Sequence, residues 1–385
     1  MDTRRLWLTI GLLWLAGAGL RLTVLAVPPV LPLIEADLGL TGTQIGILNG
    51  LPVVLFALAA IPGSLLIARY GALSALITGL LLAGVASALR GAMPNLLWLY
   101  AMTIAMGTGI AVMQPAMPAL VREWVPQRIG FATAVYTNGL LVGEVLPVAL
   151  TLPLVLPLVD GSWRGGLAFW GLPMIVIAAL MVFAPRSSRP GNAATKMRTR
   201  WWPNWRDPKV WQLGFILSSV NSAYFNANAF IPGHLTYAGR ADLISATLTA
   251  LNLAQLPASF LLLTIARRVE RRAWPLIVTG LLIIVSLVGI VSTASFWTVV
   301  FAALLGFVGA ITLALGFTLP AIVADSEDVA RTSAAMFTVS YATAMLFSVA
   351  SGAAWDLAGD PRWAFLPIII GVLPQILLIR TIRLR

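Results

Sequence analysis

Two ionisable residues stand alone inside stretches that otherwise carry no charge. Arg21 is the only charged residue between Leu6 and Ile34, and Glu144 the only one between Ile129 and Leu158. A guanidinium at the centre of a bilayer costs roughly 2.5 to 3.5 kcal/mol on insertion scales, so such a residue faces a partner or a water-filled pathway. An exposed cation there can bind an anion, and Arg21 is the expected principal contact to substrate. Glu144 lies about 15 residues into its apolar run, as Arg21 does in its own. At 1.5 Å of rise per residue the two fall near one depth, where they could pair. Glu144 then either holds Arg21 until an anion displaces it or a proton neutralises the acid, or forms a permanent ion pair that only fixes helix packing.

A second polar group lies in the other half of the chain. Asn221, Tyr224 and Asn228 are spaced i, i+3, i+7 and share one helix face, whereas Asn226 points elsewhere. These groups either complete a binding site or serve as hydrogen-bonding glue between helices. Gln114 is a further candidate cavity residue. Asn252 and Gln255, Tyr136, Asn138 and Tyr341 either line a cavity or serve packing, the preferred reading, and His234 reads as an exposed loop histidine. The acids Asp325, Glu327 and Asp328 read as a solvated loop beside Arg331.

Helices must position these groups, because the chain is built for lipid. Of 385 residues 59% are hydrophobic and only 10% charged, and the mean hydropathy is +0.92. Roughly 20 apolar residues suffice to cross a bilayer. Twelve such stretches lie near residues 6–34, 44–67, 72–89, 95–121, 129–158, 166–184, 210–235, 243–266, 274–292, 296–323, 330–354 and 363–380. The first is too long for a signal-peptide core and is expected to be retained.

The basic residues orient the spans. With the N-terminus inside, twenty Lys and Arg fall on the cytoplasmic side and four, Arg90, Arg164, Arg240 and Arg362, on the other. The positive-inside rule therefore puts both termini in the cytoplasm. The net charge of +11 is topological and does not point to nucleic acid. Residues 185–209 carry seven basic residues with Pro, Gly and Ser, and read as a cytoplasmic linker between a six-helix bundle at 1–184 and a second at 210–385. Its Trp201, Trp202 and Trp205 suit a segment resting at headgroup level.

There is no cysteine and one histidine, so thiol chemistry, a zinc centre and a Ser-His-Asp triad have nothing to be built from. No Gly-x4-Gly-Lys-Ser/Thr loop is present to bind ATP. No enzyme, metal or cofactor is expected. The partners left are a small-molecule substrate, protons and the lipid bilayer, for a chain expected to be monomeric.

The halves repeat one another. Leu65-Leu66-Ile67-Ala68-Arg69 returns as Leu263-Thr264-Ile265-Ala266-Arg267, and Thr78-Gly79-Leu80-Leu81 as Thr279-Gly280-Leu281-Leu282. Met117-Pro118-Ala119-Leu120-Val121 returns as Leu319-Pro320-Ala321-Ile322-Val323, and Asp160 and Trp163 as Asp360 and Trp363. The order is kept at offsets of 198 to 202. Duplication of this kind is how transporters place a substrate at the midplane between repeats.

Twelve spans in two halves around a basic linker resemble the major facilitator superfamily. Its signature between spans two and three, Gly-x-Leu-x-Asp-Arg-x-Gly, stands here as Ser64-Leu-Leu66-Ile-Ala68-Arg69-Tyr-Gly71, without the acid at Ala68. A narrower resemblance is to the branch of cyanate permeases and nitroimidazole transporters. It is carried by Leu20-Arg21-x6-Pro28-x2-Leu31-Pro32, by Gly109-Ile110-x3-Gln114-x2-Met117-Pro118 with Gln127-Arg128, by Asn221-x2-Tyr224-x7-Pro232 and by the stretch from Trp163 to Pro173. Glu144, in Gly143-Glu144-Val-Leu-Pro147, departs from the small apolar residues expected there.

The resemblance implies an all-α membrane protein of twelve helices in two pseudo-symmetric six-helix bundles. It implies a secondary active transporter, in a bacterial inner membrane, working by alternating access on a small anion or small polar molecule, with symport, antiport and proton coupling open. A proton-coupled efflux pump for drug-like compounds is the rival reading. A sensor derived from a transporter is the remote one, since no soluble domain is appended to carry a signal.

Overall fold

In lipid a backbone polar group has no water to bond, so an apolar segment satisfies itself by coiling into a helix. The computed structural model describes residues 3–58, 60–184, 204–269, 271–324 and 328–382, and among these there are helices and turns but no strand. The helices are α1 (Thr3–Gly19), α2 (Leu22–Leu25), α3 (Leu31–Leu38), α4 (Gly42–Leu58), α5 (Ala60–Tyr70), α6 (Ala72–Leu89), α7 (Leu96–Trp124), α8 (Ile129–Leu150), α9 (Leu156–Leu158) and α10 (Trp163–Met181). They continue with α11 (Pro208–Tyr237), α12 (Ile244–Leu253), α13 (Gln255–Val269), α14 (Trp274–Ser292), α15 (Phe296–Val323), α16 (Val329–Ala358) and α17 (Phe365–Leu378).

Grouped as runs, these follow the twelve apolar stretches in order. Ten runs among the described residues are long and apolar enough to cross a membrane. The other two are the run holding α4, apolar but shorter, and α11, whose Ser218, Ser219, Asn221, Ser222, Asn226 and Asn228 lower its hydropathy without ending the helix. Residues 185–203 of the expected linker, and Asp325 and Glu327, lie outside the described residues. Asp328 pairs with Arg331 one turn on.

The first span is broken rather than continuous. α1 stops at Gly19, the four residues of α2 follow Arg21, and a 3-10 turn at Pro28–Val30 leads into α3. Prolines at 28 and 29 lack the amide a helix needs, and their rings clash with the preceding turn. The fifth span changes winding too: α8 passes into a π-helical turn at Thr151–Val155, around Pro153, before α9.

The chain divides into two compact units, Met1–Leu38 with Leu55–Met197, and Gly39–Val54 with Arg198–Arg385. In the first unit α1 packs on α8, α6 on α7 and α10, and α5 on α7. In the second α11 packs on α16, α14 on α15 and α17, and α13 on α15. Counted by span the two sets of pairings are the same, which is the three-dimensional counterpart of the internal repeats.

The stretch Gly39–Val54 is held in the second unit by close backbone contact. A Cβ added at Gly352 of α16 would lie 2.0 Å from the Gly42 carbonyl oxygen, and one added at Gly46 would lie 2.2 Å from that of Ser348. Asp356 fixes the end of this crossing, its carboxylate accepting from the amides of Gly42 at 2.5 Å and Thr43 at 2.8 Å.

Candidate functional site

Three glycines bring the first and fifth spans into backbone contact. A Cβ at Gly17 would meet the Tyr136 carbonyl oxygen at 2.1 Å, one at Gly139 that of Trp14 at 2.1 Å, and one at Gly143 that of Ala18 at 2.2 Å. Small residues at such a seam let helix backbones approach, the usual device of membrane helix pairs. The crossing is closed at its near end by Trp14 Nε1, which donates to Asn138 Oδ1 at 2.9 Å. Arg21 is one turn past Ala18, and Glu144 directly follows Gly143.

The seam therefore places the two charges together: Arg21 Nε lies 3.2 Å from Glu144 Oε1. The Glu144 side chain is 4% exposed and that of Arg21 15%, so the acid is enclosed and the cation keeps a small exposed part, its Nε and Nη1 being buried. The guanidinium carbon also sits 5.4 Å from the centre of the Phe56 ring, a cation–π geometry that lowers the cost of a desolvated arginine. Arg21 itself leads into α2 at φ −128, ψ −24, outside helical geometry, because the break in span one falls at this residue.

A buried cation that the sequence did not mark bonds the chain two residues after Arg21. Arg90 follows the last residue of α6 and was expected on the outer side of the membrane; it is 1% exposed. Its Nη2 donates to the Thr23 carbonyl at 2.7 Å and to Ser87 Oγ at 2.8 Å, and Ser87 Oγ in turn donates to the Leu167 carbonyl of α10 at 3.2 Å. Burial pulls the guanidinium down to about 9, still a cation at neutral pH. Its position directly after an apolar run, before Gly91, gives no sequence signal distinguishing it from a loop residue.

The asparagines of α11 turn toward their own unit. Tyr224 Oη donates to Asn252 Oδ1 at 2.6 Å, Asn252 Nδ2 to Asn228 Oδ1 at 3.0 Å, and Asn228 Nδ2 to the Tyr224 carbonyl at 2.9 Å. Asn221 Nδ2 donates to Ser340 Oγ of α16 at 2.8 Å. Asn221 and Asn228 are buried and Tyr224 is half-buried. Asn226 Oδ1 accepts from Asn49 Nδ2 at 3.2 Å, a partner that sequence reasoning did not name. Gln114 is half-buried on α7. His234 departs from expectation: it is 3% exposed, with Nε2 3.4 Å from the Thr293 carbonyl and its ring edge-on to Phe365, because α11 runs three residues past it to Tyr237.

The described residues hold ten runs long and apolar enough to cross a membrane. The chain belongs to the Major Facilitator Superfamily, whose model matches residues 13–348. It is 27% identical over 259 residues to the cyanate transport protein CynX of Escherichia coli, covering 67% of this chain and 66%, just under two thirds, of that one. It is 27% identical over 339 residues to the 2-nitroimidazole transporter of the same organism, covering 86% of this chain and 84% of the relative. An MFS-type efflux pump of Mycolicibacterium smegmatis is 30% identical over 243 residues, or 60% of this chain and 55% of the pump. Among solved structures, a bacterial homolog of the human lysosomal transporter Spinster superposes with TM-score 0.75 at 15% identity, covering 99% of this chain and 98% of that one. The nucleoside transporter NupG gives 0.76 at 11%, with the same coverage. These place the chain among membrane transporters and not among enzymes.

Proposed function

We propose that this chain is a secondary active transporter that moves a small anion or small polar molecule, cyanate-like in size and charge, across a bacterial inner membrane by alternating access. Both termini are cytoplasmic and the working unit is one chain. The observation that carries the reading is the incompletely buried Arg21 in the break of span one, held 3.2 Å from an enclosed acid. Arg21 is the anion contact, and Glu144 competes for it. An anion that takes the guanidinium releases Glu144, whose carboxylate is then costly to keep charged and favours a proton. That exchange couples anion movement to protons. Gln114 is the further polar group of the same unit assigned to the substrate, and Asn221, Tyr224 and Asn228 of α11 are the candidate contacts of the second unit, Tyr224 foremost because its ring is not fully covered. The relatives bearing the names cyanate transport protein and 2-nitroimidazole transporter support a small substrate.

The efflux relative supports a second reading, in which Glu144 is the proton site of an exporter of drug-like compounds and Arg21 is its internal counter-ion. Uptake into proteoliposomes separates the two. Cyanate, nitrate, small carboxylates and 2-nitroimidazole are offered at several imposed pH gradients, to the wild type and to Arg21→Gln. Saturable anion uptake, with KM raised at least tenfold in R21Q, is the expected result. Movement of neutral or cationic compounds alone, indifferent to R21Q, would overturn the anion assignment.

A further inference from the structure

Arg90 is the largest of the fully buried side chains, and it performs no step in the reading above. It pairs with no carboxylate among the described residues. Its Nε is buried without a partner, as is Thr23 Oγ1 beside its contact. A charge so placed is retained against a desolvation cost of several kcal/mol, which side-chain packing alone would not require. Where it binds is specific. Thr23 belongs to the four-residue α2, and a helix that short has carbonyls with no following turn to bond them. Arg90 reaches one of these, two residues from Arg21, and ties it through Ser87 to α10.

The break therefore has a brace. One nitrogen of Arg90 replaces a helical hydrogen bond that an unbroken span would have made, and its three-point tie connects spans one, three and six. Without it α2 can rewind onto α1 and turn the exposed part of Arg21 away. The charge balance points the same way: Arg21 and Arg90 are two cations at one short segment, against one buried acid among the described residues of this unit, Glu144.

We propose that Arg90 is a positioning residue for Arg21, holding the break of span one open so that the guanidinium of Arg21 is presented to an anionic substrate. This rests on the assignment of Arg21 as the anion contact. The test uses the full chain in proteoliposomes with [14C]cyanate as the probe, comparing the wild type with Arg90→Gln, Arg90→Lys, Ser87→Ala and Arg21→Gln, each normalised to folded protein by thermal melting. R90Q is expected to raise KM at least tenfold with the maximal rate within threefold. R90K, which keeps the charge and one donor for the Thr23 carbonyl, is expected to fall between, at about threefold. S87A keeps the bond to Thr23 but loses the tie to α10, and is expected to fall between the wild type and R90Q.

A merely structural role lowers melting temperature and maximal rate while KM stays at the wild-type value, and that pattern overturns the proposal. If R90Q does not fold, a KM within twofold of wild type in R90K overturns it. A wild type that moves no cyanate, or an R21Q variant without effect, brings down the reading of Arg21 and this proposal with it. An active wild type and a defective R21Q, beside an R90Q of unchanged KM, bring down this proposal alone.

Discussion

Arg21 and Glu144 face one another with 3.2 Å between Nε and Oε1, joined by a glycine seam rather than by sequence proximity. Glu144→Gln leaves the seam intact and removes the competitor's charge. Stability is expected to fall by less than the roughly 3–5 kcal/mol of a fully buried pair, because Arg21 is incompletely buried. Anion exchange in the absence of a gradient should persist, while acceleration by an imposed proton gradient should vanish. Uptake that responds to the gradient as the wild type does would remove Glu144 from coupling.

Gly143→Ala tests the seam itself. Its methyl would lie 2.2 Å from the Ala18 carbonyl oxygen, so the two spans must separate, at an expected cost of about 1–3 kcal/mol. Gly130→Ala, on the same helix but with nothing within 4 Å of the added carbon, is the control. It should melt at or above the wild-type temperature, since alanine is the better helix former by about 1 kcal/mol. Equal melting of the two variants would mean that the spans do not depend on this contact.

Tyr224→Phe removes the donor to Asn252 Oδ1. Interhelical hydrogen bonds of this kind average about 0.6 kcal/mol, so melting should change little. If Tyr224 also touches substrate, KM for cyanate rises at least threefold. An unchanged KM with a small loss of stability assigns Tyr224 to packing alone.

The absence of cysteine makes orientation directly measurable. A single cysteine at Ala238, just past α11, is expected to react with a membrane-impermeant maleimide in intact cells. One at Asn204, before α11, should react only after permeabilisation. The reverse pattern would invert the topology drawn from the basic residues.

Much of the fold was legible because hydropathy and charge act over whole segments, and a run of twenty apolar residues has one solution in lipid. That Arg21 and Glu144 could pair was open to sequence reasoning because both are single charges at comparable depth. What was not legible depends on single contacts. Arg90 and His234 both sit at the ends of apolar runs, where one turn more or less of helix decides between solvent and core. Asn221, Tyr224 and Asn228 have the spacing of one face of α11, yet Asn221 meets α16 while Tyr224 and Asn228 meet α12, a choice of neighbour set by packing. The glycine seam did leave a trace, Gly139-x3-Gly143, as did Gly42-x3-Gly46-x3-Gly50 on α4. Among 33 glycines neither pattern stood out without knowledge of the opposing helix.

The chain leaves its first unit at Leu38, contributes Gly39–Val54 to the second, and returns at Leu55. Severing it between Ala184 and Asn204 would not release two self-sufficient pieces. The C-terminal fragment would lack the segment whose Gly42 and Gly46 fit against Gly352 and Ser348 and whose amides bond Asp356. Made alone, it should be vulnerable to proteolysis; made together with the N-terminal fragment, it should be rescued by complementation. The N-terminal fragment carries part of the C-terminal fragment's folding information.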